Sequence, residues 1–275
     1  MNMSNLKMFC LTMKPEHVEF ITKLSYDPVG LGKLYFPKSC MNDKSDKNIH
    51  EKNPYYGEYT FHYWIWKNYL DQINHKWIGF CQYRKYWTTT KIVSSDVSFD
   101  FFKNSLLTEI KFNDEEYDCI LGEPFFINQL RLSKFIKKIP KKLILNPSII
   151  FDKKKRNIKF HFDMWHGKGN LDKAIDLLEK NDREDFKYFV NHNVSFNPHN
   201  MFICKSTSLL KKYYESIFPW LERCEKIFGF ENLSGYGLKR IYGFLAERYM
   251  SYWFQKNCRV KLMPIYFKEI DEYNL

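Results

Sequence analysis

Polar, cationic and aromatic side chains follow one short apolar segment of this 275-residue chain. The segment 77–81, WIGFC, has the composition of a buried strand, and Gln82, Tyr83, Arg84 and Lys85 come directly after it. Guanidinium and ammonium groups neutralise phosphate oxygens, and a tyrosine ring can stack on another ring. The pattern therefore predicts a binding site for a small molecule that is activated by a nucleotide.

A second group of polar side chains precedes and enters a predicted aromatic helix over residues 58–70. Asn48, Asn53 and Glu58 are candidates for binding the base or ribose of the nucleotide, and the alternative is that they cap this helix. Lys67 is a candidate ligand of the diphosphate. The aromatic side chains of the same segment are expected in the core.

The residues after segment 77–81 also bear on the use of a metal ion. A sugar transferase of the common α/β type places an Asp-x-Asp motif after a middle strand, where it holds Mg²⁺ or Mn²⁺ against the diphosphate. Arg84 and Lys85 stand at that place here, and they could neutralise the leaving group directly. The sequence therefore predicts transfer without a cofactor or metal ion, and Mn²⁺ or Mg²⁺ is the alternative. Glycine-rich dinucleotide and P-loop motifs are absent.

Inverting transfer to a hydroxyl requires a carboxylate that accepts the hydroxyl proton. The catalytic candidates are Asp163, in the aromatic and histidine-rich run FHFDMWH, and Glu247, in the run GFLAER. The alternative for Glu247 is a surface pair with Arg248, or a buried acid that orients this arginine. Arg248 is itself a candidate ligand of the nucleotide sugar. A retaining double displacement stays open. Two histidines, His161 and His166, flank Asp163, but their spacing of five suits neither helix nor strand chelation of a metal.

Short apolar segments alternate with helical patterns along the chain. The strand-like segments are 8–11, 77–81, 117–121, 143–145, 149–151, 201–204 and 260–267, and the helical ones are 58–70, 171–178 with Asn170 as cap, 206–228 interrupted at Pro219, and 240–257. This alternation predicts an α/β fold with a mostly parallel central sheet flanked by helices. Because no linker or repeat is evident, residues 1–275 are predicted to form a single domain, with a hairpin-like excursion near 143–159.

Ligands of such sheets bind at the carboxyl ends of the strands. This rule places Thr12, residues 83–86, residues 122–124 and Lys205 around one crevice. His199 and Asn200 precede segment 201–204 and could contact the sugar, and the alternative is a structural turn at the preceding Asn-Pro pair.

The net charge of +11 is concentrated in one part of the chain. Residues 134–159 hold ten basic residues and one acid, so this lysine-rich excursion accounts for +9 of the charge. It is either a solvated insertion or a contact for an anionic membrane surface or a phosphate-bearing acceptor. Nucleic acid is not expected as a partner, because no binding motif and no interleaved aromatics occur there.

The seven cysteines are scattered without a CxxC pair, which indicates reduced thiols. Cys10, Cys81, Cys119 and Cys204 lie in strand-like runs. No run of 18 apolar residues occurs, and the N-terminal residues are too short and broken for a signal peptide, so residues 6–12 are expected to form the first strand. The expected location is the cytoplasm, with peripheral contact to a membrane.

Four motifs together resemble one known family. They are NIHEKNPYYGEYTFHYWIWKN at 48–68, WIGFCQYRKYW at 77–87, FNPHNMFICK at 196–205 and YGFLAERYMSYW at 242–253. In this order they resemble the motifs of the DUF4422 family, glycosyltransferases of capsule and surface-polysaccharide gene clusters. The chain departs from the family pattern at His50, where serine is usual, at Gln82, where histidine is usual, and at Lys85, where arginine is usual.

The resemblance implies a GT-A-like fold and transfer of a sugar from a nucleotide diphosphate sugar to a hydroxyl of a surface-glycan acceptor. The expected enzyme is a hexosyl- or pentosyltransferase, with a UDP-linked sugar such as xylose or galactofuranose as donor. Gln82 cannot act as a general base, so a catalytic role of a family histidine would not carry over to this position. The alternative function is a non-catalytic module that binds a nucleotide or sugar.

Overall fold

The computed structural model describes residues 4–111, 116–130 and 148–270. Their contacts divide the chain into two compact units. Unit 1 comprises Met1–Glu123, Met201–Ser216 and Phe254–Leu275, and unit 2 comprises Pro124–Asn200 and Ile217–Trp253. That residues 1–275 form a single functional domain stays a prediction.

The strands, in chain order, are β1 (Leu6–Thr12), β2 (Asp27–Gly30), β3 (Met41–Asn42), β4 (Trp77–Gln82), β5 (Lys85–Trp87), β6 (Cys119–Gly122), β7 (Phe125–Phe126), β8 (Ser195–Phe196), β9 (Phe202–Cys204), β10 (Val260–Met263) and β11 (Ile265–Phe267). Among the described residues, nine of these strands form one sheet in unit 1, with the order β10-β6-β9-β4-β1-β2-β3 and with β5 joined to β4 and β11. The pair β7 and β8 belongs to unit 2.

Along the described path from β10 to β3, four of the six neighbouring pairs are parallel, as predicted, whereas β5 pairs antiparallel with β4 and β11. Strand β1 is parallel to β2 and β4, β2 is parallel to β3, and β10 is parallel to β6. Strand β9 is inserted antiparallel between β4 and β6. All but one of the β1 side chains are buried, because helices cover both faces of a sheet of this kind. The four cysteines expected in strands lie there, with Cys10 opposite Cys81 and Cys119 opposite Cys204.

The orientation of β9 corrects one expectation. Strands β1, β4 and β6 run in one direction and end at Thr12, Gln82 and Gly122. Because β9 runs the opposite way, it ends at the opposite edge, where the Lys205 N–H donates to the carbonyl of Asp118 before β6. Lys205 is therefore not part of the crevice at the carboxyl ends.

The helices, in chain order, are α1 (His17–Lys23), α2 (Asn53–Tyr56), α3 (Tyr59–Trp64), α4 (Phe99–Ser105), α5 (Ser148–Phe151), α6 (Ile158–His166), α7 (Asn170–Ile175), α8 (Lys180–His192), α9 (Thr207–Phe228), α10 (Gly235–Lys239) and α11 (Ile241–Asn257). Helix α3 continues through a π turn at Ile65–Tyr69 and a 3-10 turn at Leu70–Gln72, so the predicted aromatic helix is confirmed. The sequence-based expectation of an α/β fold is confirmed as well.

Three local predictions were wrong. Helix α9 continues through Pro219 and has 22 residues, so the proline removes one backbone hydrogen bond without ending the helix. The side chain of Asn170 donates to the His166 carbonyl, and Gly169 takes the cap position of α7. Residues 149–151 belong to α5, and the chain continues through a 3-10 turn at Lys153–Lys155, so no hairpin forms over the described part of 143–159. The segment 143–145 lies outside the described residues.

Each unit has its own aromatic core. In unit 1, His62 is fully buried, its ring lies 4.3 Å from the Phe80 ring, and its Nδ1 is hydrogen-bonded to the Tyr214 hydroxyl at 2.8 Å. In unit 2, Trp220 donates to the Ala174 carbonyl at 2.7 Å, and its ring lies 4.9 Å from that of Tyr249. Among the described residues, no helix combines the length and the apolar character that crossing a bilayer requires.

Acid should destabilise unit 1 through His62. Burial lowers the pKa of His62 to about 3, whereas an unfolded histidine titrates near about 6.5. Between these two pKa values the unfolded chain binds more protons than the folded chain. The free energy of unfolding is therefore highest above about pH 6.5, and it decreases as the pH is lowered further, by up to about 1.4 kcal/mol per pH unit for this group. Urea unfolding should show that the free energy of unfolding decreases less between pH 7.5 and pH 5.5 in His62→Asn than in the wild type. The exposed His192→Asn serves as the control. An equal loss in His62→Asn and the wild type would contradict the prediction.

Candidate active site

Unit 2 contains a cavity of about 650 Å³. Its walls come from α6, from the residues that follow β8, from the segment 234–238 that includes most of α10, and from the first half of α11. The lining includes several Phe, Trp and Tyr side chains, and its polar groups include a carboxylate, a guanidinium, three histidines and a serine. Of the predicted site residues, His199, Glu247 and Arg248 line this cavity.

Glu247 and Arg248 form an ion pair on α11. One oxygen of Glu247, Oε2, accepts from Arg248 Nη1, and the other, Oε1, accepts from the backbone N–H of His199 at 2.6 Å. The Arg248 side chain is 2% exposed and lies 4.3 Å from the centre of the Phe196 ring. The carboxylate is thus oriented by two donors while its side chain keeps 12% exposure.

The chain turns sharply at His199 and Asn200. Both residues have positive φ, 81° and 53°, which is uncommon for residues other than glycine. The Asn200 side chain donates to the Gly243 carbonyl at 3.1 Å, and this contact ties the turn to α11. The turn aims the His199 N–H at Glu247, and strained backbone of this kind is a reason to suspect function.

The two histidines of α6 at the cavity are neutral at physiological pH. Burial, and then the charge of Arg248, lower the pKa of His161 to about 3 and that of His166 to about 2. Because a guanidinium only donates, the His161 Nδ1 accepts from Arg248 Nη2 at 3.1 Å. The His166 Nδ1–H donates to the Gly237 carbonyl at 3.0 Å. These contacts assign the remaining proton of His161 to Nε2 and leave the Nε2 of His166 as an acceptor.

Asp163, the other predicted base, does not line the cavity. Its Oδ2 forms an ion pair with Lys159 at 3.2 Å, and its Oδ1 accepts from the Gly169 N–H at 3.0 Å. Lys159 also reaches Asp172. These contacts join α6 to α7, so the environment of Asp163 is that of a structural carboxylate and Glu247 is the better placed candidate.

Two aromatic residues of the cavity, Trp165 and Tyr236, were not identified from the sequence. Both are well exposed, Trp165 at 39% and Tyr236 at 69%, although aromatic side chains usually lie in the core. The signal that could have found Tyr236 is the pair of glycines around it. A side chain at Gly237 would meet the Trp165 carbonyl oxygen at 2.1 Å, so only glycine fits this close backbone approach.

The carboxyl end of β4 in unit 1 holds a second set of predicted residues. Gln82 Nε2 donates to Glu58 Oε1 at 3.4 Å, and Gln82 Oε1 accepts from Lys85 Nζ at 2.9 Å. The amide thus links a carboxylate and an ammonium group that are 27 positions apart in the chain. The structure therefore brings Glu58 and Lys85 together around Gln82.

Arg84, Tyr83 and Thr12 form a neighbouring group. Arg84 is half exposed, with its guanidinium 5.6 Å from the Tyr83 ring centre and 3.7 Å from Glu269. The Tyr83 ring lies 4.9 Å from that of His17, and the His17 Nδ1 is hydrogen-bonded to the hydroxyl of Thr12 at 2.9 Å. This cationic and aromatic group lies at the edge where β1 and β4 end.

Asn48, Asn53 and Lys67 are engaged elsewhere. The amide of Asn48 donates to backbone carbonyls of its own loop and its oxygen accepts from the His50 N–H, while Asn48 also lines a separate cavity of about 490 Å³. Asn53 is buried and donates to Gly57 and Thr60 within the α2–α3 segment. The Lys67 ammonium lies over the Trp66 ring. Their observed contacts shape the loop and the helices, and a role of these residues in donor binding stays a prediction.

The lysine-rich excursion is only partly described, since residues 134–147 lie outside the described ranges. In the described part, Arg156 is buried and Lys159 is paired with two carboxylates. Lys153, Lys154 and Lys155 are exposed. Within the described ranges, no three His, Cys, Asp or Glu side chains are grouped to hold a metal ion.

Comparison with solved structures supports the fold. The structure is similar to that of WbbM, a bifunctional glycosyltransferase in its apo form, with a TM-score of 0.70, 20% identity and 96% of this chain covered. The match covers 45% of the WbbM chain, so this chain spans less than half of that protein. The similarity confirms the GT-A-like α/β fold that the sequence predicts.

Two further structures match weakly. One is core-mannan synthase A (CmsA/Ktr4) from Aspergillus fumigatus in its Mn/GDP form, with 12% identity and a TM-score of 0.37; the match covers 96% of this chain and 74% of that one. The other is the mannosyltransferase Ktr4p from S. cerevisiae, with 9% identity and a TM-score of 0.28; the match covers 90% of this chain and 63% of that one. These scores are too low to support any argument. Comparison with curated proteins gave no match.

A family model, described as Domain of unknown function (DUF4422), matches residues 7–258. The match spans both units and includes the four sequence motifs, the Glu247–Arg248 pair and the group at the end of β4. The chain therefore belongs to the DUF4422 family.

Proposed function

We propose that this chain is a glycosyltransferase that moves a sugar from a nucleotide diphosphate sugar to a hydroxyl of a glycan acceptor. The observation that carries the proposal is the Glu247 carboxylate, which two donors orient at the wall of an aromatic cavity. The fold shared with WbbM, a bifunctional glycosyltransferase, supports it.

Glu247 is the proposed general base. As the acceptor oxygen attacks the anomeric carbon, its proton passes to the carboxylate, and the bond from that carbon to the diphosphate breaks. Each carboxylate oxygen retains a lone pair beyond the one that its present donor uses. Arg248 and the His199 N–H would hold the carboxylate in place and leave the second lone pair of each oxygen open to the acceptor hydroxyl. This single displacement inverts the anomeric configuration.

The group at the end of β4 is the proposed diphosphate site. Arg84 can offer two parallel N–H donors to phosphate oxygens, and Lys85 adds a second positive charge. The fixed charges would stabilise the leaving diphosphate in place of a metal ion. We propose a UDP-linked hexose or pentose, with xylose and galactofuranose as examples, and place its base and ribose near Thr12, Glu58 and Tyr83. A direct role of Asn48, Asn53, Lys67 and Asn200 in donor binding belongs to the same proposal.

We further propose that the protein works in the cytoplasm against a membrane-borne acceptor. The three exposed lysines 153–155 would contact anionic lipid, each contributing on the order of 1 kcal/mol near the surface. A non-catalytic sugar-binding module is the competing function. It would bind a nucleotide sugar and release no nucleotide.

Loss of the base should affect turnover and leave donor binding intact. In Glu247→Gln the amide keeps the shape of the side chain but cannot accept the proton, so we expect kcat to fall by about 10²–10⁴-fold. The measurement is release of nucleotide from a panel of nucleotide diphosphate sugars with a glycan acceptor, together with thermal stabilisation by the donor.

Asp163→Asn is the matched control for Glu247→Gln, because it alters a carboxylate on α6 that does not line the cavity. We expect it to lower the thermal stability and to retain kcat within a few-fold. If Asp163→Asn abolished turnover in a folded protein while Glu247→Gln did not, the assignment of the base would be reversed.

Removal of the guanidinium at the end of β4 should weaken donor binding. In Arg84→Ala, we expect the Kd of the nucleotide sugar to rise about tenfold, in line with about 1.5–3 kcal/mol for a charged hydrogen bond reduced by exposure. Arg259→Ala is the control, since Arg259 is an exposed arginine of unit 1 that pairs with Asp118 before β6. Calorimetry of both variants measures the effect, and equal affinities in Arg84→Ala and the wild type would refute the role.

Chelation tests the proposed independence from metal. Transfer should proceed at the same rate after dialysis against EDTA, because Arg84 and Lys85 supply the positive charge at the diphosphate. Activity that EDTA abolishes and Mn²⁺ or Mg²⁺ restores would show that the alternative is correct.

A further inference from the structure

The cavity of unit 2 presents two exposed aromatic side chains that the proton-transfer chemistry does not use. Trp165, near the end of α6, and Tyr236, in α10, both line it. Flat aromatic faces that remain accessible next to polar groups suit ligands with one apolar and one polar side. A sugar ring is such a ligand, because its axial C–H groups form an apolar patch and its hydroxyls radiate from the rim.

The Tyr236 ring and the backbone of Trp165 are held in place by their surroundings. The Arg240 guanidinium lies 5.7 Å from the Tyr236 ring centre and donates to the Tyr236 hydroxyl at 3.4 Å. The Tyr236 and Phe244 rings meet edge to face, with 5.7 Å between their centres. The backbone of Trp165 packs directly on Gly237, so α6 and α10 are fixed against each other at this point. Because the Tyr236 ring is already held by these contacts, little conformational entropy is lost when a ligand stacks on it.

The charges of the cavity are already balanced. The carboxylate of Glu247 and the guanidinium of Arg248 pair with each other, and the guanidinium also donates to His161. His161 and His166 carry no charge at physiological pH, because burial and Arg248 lower their pKa values to about 3 and about 2. Among the described residues that line the cavity, an anionic ligand could pair with Arg248, for which it would compete with Glu247 while losing hydration. Arg240 lies beside Tyr236 and is not part of this lining.

We propose that this cavity is the acceptor subsite and that it takes an uncharged saccharide, with a sugar ring stacked on Trp165 or Tyr236 and a hydroxyl directed to Glu247. This inference rests on the proposed glycosyltransferase function. The balanced charges disfavour an acidic or phosphorylated sugar, and they equally disfavour a nucleotide diphosphate. The Nε2 of His166 and the backbone of segment 234–238 supply neutral hydrogen-bonding groups for the remaining hydroxyls.

Saturation-transfer difference NMR tests this assignment with the wild-type protein and three variants. The probes are the methyl glycosides of galactose, glucose and mannose, the methyl glycoside of galacturonic acid as the anionic counterpart, and UDP. We expect saturation of at least one neutral glycoside, at least about fivefold weaker saturation of its signals in Trp165→Ala or Tyr236→Ala, and weaker saturation of the galacturonate. Tyr188→Ala is the matched control, because Tyr188 is a 65% exposed tyrosine of unit 2 that does not line the cavity.

Several outcomes would overturn the inference. Galacturonate saturated as strongly as the neutral glycosides would refute the charge argument, and unchanged signals in both cavity variants would refute the stacking. UDP signals that disappear in Trp165→Ala would assign the cavity to the donor base. If the wild type binds a nucleotide sugar and none of the glycosides, the inference fails while the proposed function stands. If it neither binds nor hydrolyses any nucleotide sugar, the proposed function itself fails.

Discussion

The buried guanidinium of Arg248 imposes a requirement that organises the cavity of unit 2. A charge that is 2% exposed must be paired and hydrogen-bonded, because removing it from water costs several kcal/mol. Glu247 supplies the opposite charge, and His161 supplies a neutral acceptor. Phe196 covers a face of the guanidinium. Burial, and then the same cation, lower the pKa values of His161 and His166, so the guanidinium adds to the effect that keeps them neutral.

The end of β4 meets a different requirement. There a carboxylate, which only accepts hydrogen bonds, and an ammonium group, which only donates them, approach the same side chain. Gln82 satisfies both, since its amide donates to Glu58 and accepts from Lys85. A neutral histidine could also donate with one nitrogen and accept with the other. The departure from the family pattern at this position is therefore compatible with an unchanged hydrogen-bond pattern, although the glutamine cannot take up a proton.

Periodicity and composition were sufficient to predict those strands and helices whose apolar pattern is strong. The apolar runs around Cys10, Cys81 and Cys119 are strands, and the aromatic run after Glu58 is a helix, because burial on both faces leaves a clear signal. The direction of β9 was not predictable, since a three-residue strand looks the same whether it is parallel or antiparallel. The site was found in part. Glu247 and Arg248 stand in a recognisable motif, whereas Trp165 and Tyr236 line the cavity only because α6 and α10 pack closely, which no local pattern encodes.

The close contact between Gly237 and the carbonyl of Trp165 has an evolutionary consequence. Position 237 is closed to every other residue, because a Cβ atom there would meet a backbone oxygen, and backbone cannot rotate away as a side chain can. The neighbouring position 236 has no such restriction, since its side chain is mostly exposed. Descendants of this chain can therefore exchange the side chain at 236 on an anchored backbone. Divergence in what the cavity accepts would then proceed by single substitutions that leave the fold of unit 2 intact.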